Sequence, residues 1–228
     1  EVGPGPGLLT NAILEKKIKK VLAIETDKTF LPILEELKEK HPKKFEFIIN
    51  DALKVDLDKL ISENYSVISN LPYNISVPFI ISLLIKEQPV KWEKLTLTVQ
   101  KEVADRMMAK INTKQYGRLS VLTQWRCRIK KICEIKPSCF IPPPKVISTV
   151  ISIEPKKNIL TPSVENFQKI VSYAFGFRRK TLKKSLSKLE IDINKLADFC
   201  KIDLSLRAQN LSVDDYINLT VGYEKFLK

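Results

Sequence analysis

Histidine is almost missing from this chain: His41 is the only one in 228 residues. That leaves little room for histidine-based acid–base catalysis or for a histidine metal centre. Its place before Pro42, at the close of a helical stretch, marks it as a surface residue at a helix end. Cysteines are few and poorly spaced for chemistry. Cys127, Cys133, Cys139 and Cys200 include no C-x-x-C pair and lie far from His41. Neither a zinc site nor a disulfide framework is expected; reduced thiols in the cytoplasm are, and no metal. The chain also lacks a run of about 18 apolar residues and a charged-then-apolar leader with a small-residue cleavage site. A soluble, non-secreted cytoplasmic protein without a membrane partner is expected. With no coiled-coil pattern or long exposed apolar stripe, a monomer is the expected state. Acidic residues are the minority, 26 Asp plus Glu against 39 Lys plus Arg, for a net charge of +13. Such an excess favours a polyanionic partner, nucleic acid or an acidic membrane surface, without choosing between them.

What is present is a foldable α/β pattern. Hydrophobic residues make up 44% of the chain, enough to bury a substantial core. Short β-rich runs alternate with helical spacing: strands are predicted at Val21 to Ile24, Phe45 to Ile49, Ser66 to Ser69, Leu95 to Val99, Arg128 to Ile135 and Ser148 to Ile153. Helices are predicted at Leu8 to Lys19, Lys28 to Lys40, Val77 to Ile85 and Lys101 to Ala109. The last two strands, separated only by the Pro-rich segment Pro137 to Pro144, read as an antiparallel pair ending the sheet. Past Pro155 only helical spacing remains, at Ser163 to Phe175, Phe177 to Leu189, Ile193 to Cys200 and Val213 to Phe226. The expected division is a sheet domain, residues 1–157, and a small helical domain, residues 158–228.

Candidate site residues gather at the predicted strand ends. Gly3-Pro4-Gly5-Pro6-Gly7 precedes a helix, so its backbone can approach a ligand beside the helix N–H donors, although an ordinary strand-to-helix loop has the same look. Glu25 closes the first strand 18 residues after Gly7, where a carboxylate can accept ribose hydroxyls. Asp51, after the second strand, can accept the amino group of an adenine. Each acid alone reads equally as a strand-end or cap residue. Together they point to the crevice at the carboxyl ends of a parallel sheet, and a nicotinamide cofactor would fit the first two as well. The fourth feature separates the cases. Asn70-Leu71-Pro72-Tyr73 ends an apolar run with an amide, a rigid turn and an aromatic face, because proline fixes its own φ and pushes Leu71 into an extended conformation. That set can hold a base by its amino group, which a dehydrogenase has no use for.

Asn-Leu-Pro-Tyr is similar to the motif of amino-group methyltransferases that act on nucleic acid bases. Over almost its whole length the chain resembles the ribosomal RNA small-subunit adenine N6-dimethyltransferase family. The resemblance runs through Glu1-Val2-Gly3-Pro4-Gly5, Glu25 with Asp27, Asn50-Asp51-Ala52-Leu53, Asn70 to Ser76, Gln100 to Ala104, Tyr116 to Ser120, Phe140 to Val146, Phe177-Arg178-Arg179-Lys180-Thr181-Leu182, Arg207-Ala208 and Leu211-Ser212. It implies a Rossmann-like class I S-adenosylmethionine-dependent methyltransferase sheet followed by a small all-helical domain. It implies dimethylation of the N6 amino groups of two adjacent adenosines near the 3′ end of small-subunit (16S) rRNA during ribosome biogenesis, with a 30S-type precursor as partner. Glu1, Gly3, Gly5, Glu25, Asp51 and Asn70 would hold the donor. Asn70, Leu71, Pro72 and Tyr73 would form the catalytic tetrapeptide, with Phe140 stacking on the second face of the base. Arg118, Arg178, Arg179, Lys180, Lys183 and Lys184 would contact RNA; Lys180, Lys184 and Lys188 recur at four-residue spacing, as on one face of a helix. Two alternatives share this fold: a large-subunit rRNA adenine N6-methyltransferase, and a non-catalytic rRNA-binding assembly factor. Members of the family begin with a lysine- and glutamine-bearing segment and a strand leading into the position of Glu1. Neither precedes Glu1 here, so the sheet domain is expected to lack a central strand.

Overall fold

The computed structural model describes residues 1–86, 89–157 and 162–227. The α/β class expected from the alternating runs is what forms. Elements in order are α1 (Leu8–Leu14), β1 (Val21–Glu25), α2 (Leu31–Lys40), β2 (Phe45–Ile49), α3 (Leu57–Leu60), β3 (Tyr65–Asn70), α4 (Tyr73–Leu84), β4 (Trp92–Gln100), α5 (Lys101–Met107), α6 (Arg118–Arg126), β5 (Cys127–Ile135), β6 (Ser148–Pro155), α7 (Val164–Gly176), α8 (Leu182–Ser185), α9 (Ile193–Cys200) and α10 (Val213–Phe226). They form two compact units. One holds the glycine loop, all of β1 to β4 and most of β5 and β6; the other comprises α5 beyond Lys101, α6 and the helices after Pro155. The expected domain junction, 157/158, abuts residues 158–161, which lie outside the described residues.

In the sheet unit the strands form two ladders. β1 and β2 pair in parallel, and the second ladder has the order β3-β4-β6-β5, with β3 parallel and β6 antiparallel to β4. β1 is buried along nearly its whole length, as strands covered on both faces are. Its core is Leu14, Val21, Ala23, Leu34, Leu37 and Phe45, and burying each of the large apolar side chains contributes about 1.5–3 kcal/mol. Val2 touches both ladders. It bridges Ile24 in parallel, while its carbonyl accepts the Ser69 hydroxyl from β3. Away from that contact a groove of about 630 Å³ runs between the ladders, lined by residues including Val21, Ile24, Phe47, Val67 and Ile68.

In the helical unit, Trp125 of α6 stacks on Phe167 of α7 at 3.9 Å between ring centroids, and Phe175 stacks on Tyr216 at 5.8 Å. α9 and α10 approach closely at Gly222, where a Cβ would lie 2.8 Å from both Cys200 Sγ and Leu196 Cδ1.

Three expectations need correcting. The helix predicted from Leu8 to Lys19 stops at Leu14, where turns at Ile13–Lys16 and Lys16–Ile18 take over. The predicted helix Phe177 to Leu189 is four residues long, Leu182–Ser185. Thr181 is extended, and the amides of Leu182 and Lys183 donate to the carbonyls of Leu206 and Leu204 instead of to the preceding turn. The four-residue lysine spacing is therefore not a continuous helical stripe. α6 was not anticipated; seven of its nine residues are buried, so it lacks the one-sided pattern that betrays a surface helix.

Candidate functional site

The glycine loop runs from the tip of the Val2 bridge into α1. Gly3, Gly5 and Gly7 take φ of 67°, 53° and 76°, a region costly for residues with a Cβ. At Gly7, which caps α1, a Cβ would also come within 2.7 Å of Leu37 Cδ1. A Cβ on Gly3 would lie 3.4 Å from Pro72 Cδ. That approach puts the glycine loop against the Asn-Leu-Pro-Tyr turn.

Glu25 is 6% exposed and holds this loop from the end of β1. Its Oε2 accepts the Gly5 amide at 3.1 Å, and its Oε1 accepts the amides of Thr26 and Asp27 at 2.7 and 2.9 Å. A carboxylate offers about four acceptor positions, so three backbone bonds leave one on Oε2 for a ligand hydroxyl. Glu1 lies close by and accepts the Thr10 hydroxyl at 2.6 Å. Burial raises the Glu1 carboxyl above its ordinary value, against the pull of the Thr10 bond, and the Glu25 charge adds to the rise. Asp27 caps the next turn through Thr29, whose hydroxyl and amide hold its carboxyl below the ordinary value. At the end of β2, the Asn50 amide donates to the Glu25 carbonyl at 2.8 Å, and the half-buried Asp51 accepts the Leu53 amide at 2.9 Å.

β3 delivers the tetrapeptide. Asn70 is its last residue, registered against Thr98 of β4, and its side chain is exposed. Leu71 is 2% exposed and anchors the turn from below. Pro72 opens α4, its carbonyl accepting the amides of Ile75 and Ser76 at 3.1 and 3.2 Å. The half-buried Tyr73 places its hydroxyl 2.7 Å from the Ser148 Oγ. Phe140 follows the turn Pro137–Cys139 and is half-buried, at the head of a segment that runs through a cis Ile141–Pro142 bond into Ser148. Sequence reasoning missed Ser148, Thr10 and Ser69. The partners of Ser148 and Ser69 are 75 and 67 residues away, and although Thr10 is only nine residues from Glu1, no local spacing announces any of the three.

The predicted RNA contacts lie in the helical unit. Arg118 begins α6 and is exposed, as are Arg179, Lys180, Lys183 and Lys184. Arg178 already has protein partners, donating to the carbonyls of Lys114 and Tyr116. Lys188 sits over the Phe177 ring, 5.5 Å from its centroid. No cluster of His, Cys, Asp and Glu suited to a metal occurs among the described residues.

Residues 1–225 match the family profile described as ribosomal RNA adenine dimethylase. The chain is 44% identical to ribosomal RNA small subunit methyltransferase A of Rhizobium etli (strain CIAT 652) over 218 residues, which is 95% of this chain and 78% of that protein. To the protein of the same name from Agrobacterium fabrum it is 41% identical over 222 residues, 96% of this chain and 80% of that one. A dimethyladenosine transferase from Plasmodium falciparum superposes with a TM-score of 0.81 at 25% identity, covering 98% of this chain and 88% of its own. The 23S rRNA methyltransferase ErmE shares the fold, with a TM-score of 0.68 at 22% identity over 100% of this chain and 89% of its own.

Proposed function

The chain belongs to the ribosomal RNA adenine dimethylase family, and from that premise we propose that methyl transfer takes place at the tip of β3, on the side chain of Asn70. The enzyme is an S-adenosylmethionine-dependent rRNA adenine dimethyltransferase that methylates the N6 amino groups of adjacent adenosines in small-subunit rRNA. The observation that supports this placement is the contact of Gly3 with Pro72, which brings a donor loop and a base-amine motif together. The residues present suit the donor. Gly3 and Gly5 lack side chains where the loop must open, the raised Glu1 carboxyl and the one open acceptor position of Glu25 suit a ribose or amino group, and Asp51 suits an adenine amine.

When bound, S-adenosylmethionine supplies an electrophilic sulfonium methyl. An adenine N6 is a poor nucleophile because its lone pair is delocalised into the ring. The Asn70 side-chain oxygen and the Leu71 carbonyl accept hydrogen bonds from N6, draw the nitrogen toward tetrahedral geometry and aim its lone pair. The cationic nitrogen formed on transfer is acidic and releases its proton to water, so no strong base is needed. Acceleration comes chiefly from alignment. Tyr73 and Phe140 stack on the two faces of the extruded base, each contact contributing about 1–3 kcal/mol. Arg118, Arg179, Lys180, Lys183 and Lys184 bind RNA phosphates. No helix among the described residues is long and apolar enough to cross a membrane, and we infer a metal-free, monomeric cytoplasmic enzyme acting on a 30S-type precursor. Incubation with undermethylated small subunits and labelled donor, followed by nucleoside analysis, should yield N6,N6-dimethyladenosine. RNA binding without incorporated methyl would favour an assembly factor instead.

A further inference from the structure

We propose that Ser148 is a positioning residue for the methyl-transfer step: its hydroxyl holds the far end of the Tyr73 ring and so the place where that ring meets the target base. The Tyr73 hydroxyl and Ser148 Oγ are 2.7 Å apart. Ser148 is fully buried, so this bond is exchanged for no water contact on the serine side, and a broken bond leaves a buried hydroxyl unsatisfied. Its backbone is rigid on both sides. Ser148 is the first residue of β6 and pairs with Gln100 of β4, and the preceding Ile147 carbonyl accepts the Lys101 amide at 2.9 Å.

Tyr73 stands at the first position of α4, where a half-buried ring retains rotation about two side-chain torsions. A hydrogen bond at the far end of the ring fixes where the ring projects, by holding its first torsion, and favours one ring plane, because the phenol O–H prefers to lie in the plane of its ring. Ser148 also ends the segment that carries Phe140, so the anchor of one stacking ring is continuous in sequence with the attachment of the other. A bond between two hydroxyls sets orientation and is not an ion pair.

The role given to Ser148 rests on the reading that Tyr73 stacks on the base. The test is steady-state methyl transfer to undermethylated small subunits, with donor affinity and melting temperature measured alongside, for Ser148→Ala, Tyr73→Phe, the double variant and Ser148→Thr. Each single removal should lower kcat about fivefold, the worth of one hydrogen bond, with donor affinity within about twofold. The double variant should be no slower than either single one, and Ser148→Thr should recover most of the rate. Tyr73→Phe deletes one oxygen and no buried backbone contact, so it carries the test if Ser148→Ala folds poorly. Unchanged kcat in Tyr73→Phe, losses that multiply in the double variant, or a folded Ser148→Thr no better than alanine would overturn the role. Tyr73→Ala separates this from the underlying reading. Its full activity would remove the stacking face itself, whereas its collapse beside an unimpaired Tyr73→Phe would remove only Ser148.

Discussion

Replacing Glu25 by glutamine tests how the donor loop is held. In the wild type, Oε1 accepts two backbone amides and Oε2 accepts the Gly5 amide at 3.1 Å, all within a residue 6% exposed. Glutamine keeps one acceptor oxygen, which stays with Thr26 and Asp27, where two bonds are made. Its NH2 then faces the Gly5 N–H, donor against donor, and the loop loses a hydrogen bond to a charged acceptor. Such a bond contributes about 1.5–3 kcal/mol, and the free position on Oε2 that a ligand hydroxyl would use disappears as well. The expected result of a calorimetric titration with S-adenosylmethionine or its demethylated product is a 10- to 150-fold weaker Kd, taking about 1.4 kcal/mol per decade. Wild-type affinity in a well-folded Glu25→Gln protein would refute both the loop-holding role and the assignment of Glu25 to the donor.

Arg178 and Arg179 should behave differently although adjacent. Because Arg178 donates to the Lys114 and Tyr116 carbonyls, Arg178→Ala should lower the Tm by about 2–4 °C, matching a loss near 1 kcal/mol for a chain of this size. Arg179→Ala should leave Tm unchanged but reduce the slope of log affinity against log salt by about 0.7–0.9 in RNA binding assays; an unaltered slope removes Arg179 from the footprint. Burial pushes the Cys127 thiol up to about 12 and the Cys200 thiol to about 11. The folded state thus favours the neutral thiols, and their stabilising contribution is complete below the ordinary thiol value near 9 and lost as pH rises from there through 11 and 12. Denaturant titrations should show stability falling across that window, and iodoacetamide at neutral pH should modify the exposed Cys133 and Cys139 well before Cys127; equal rates would contradict the buried placement.

The parts of this fold legible in the sequence are those encoded locally. β1 and β2 announce themselves as β-branched and aromatic runs between charged turns, and Pro72 fixes the end of β3 because a proline cannot supply the next ladder hydrogen bond. Glycines with positive φ mark the loop before α1 for the same local reason. What sequence could not reveal depends on partners far along the chain. The segment after Phe177 has helical lysine spacing, yet its amides are taken by the carbonyls of Leu204 and Leu206. α6 is covered on nearly every side and so shows no polar stripe. Arg178 looks like every other basic residue in its run until its carbonyl partners are seen. In the site, Asn70 and Glu25 were readable because each ends a strand, and Tyr73 because it follows Asn70 across a proline turn; that Glu25 spends three acceptor positions on backbone amides was not.

The most direct measurement is single-turnover methyl transfer by Asn70→Ala, with donor binding titrated on the same preparation. Removing the exposed amide should abolish incorporation into undermethylated small subunits while the donor Kd weakens by no more than about tenfold, the share of one hydrogen bond to the donor, since the larger loss falls on the aligned amine. Methyl transfer at the wild-type rate in that variant would contradict the assignment of the reaction to the tip of β3.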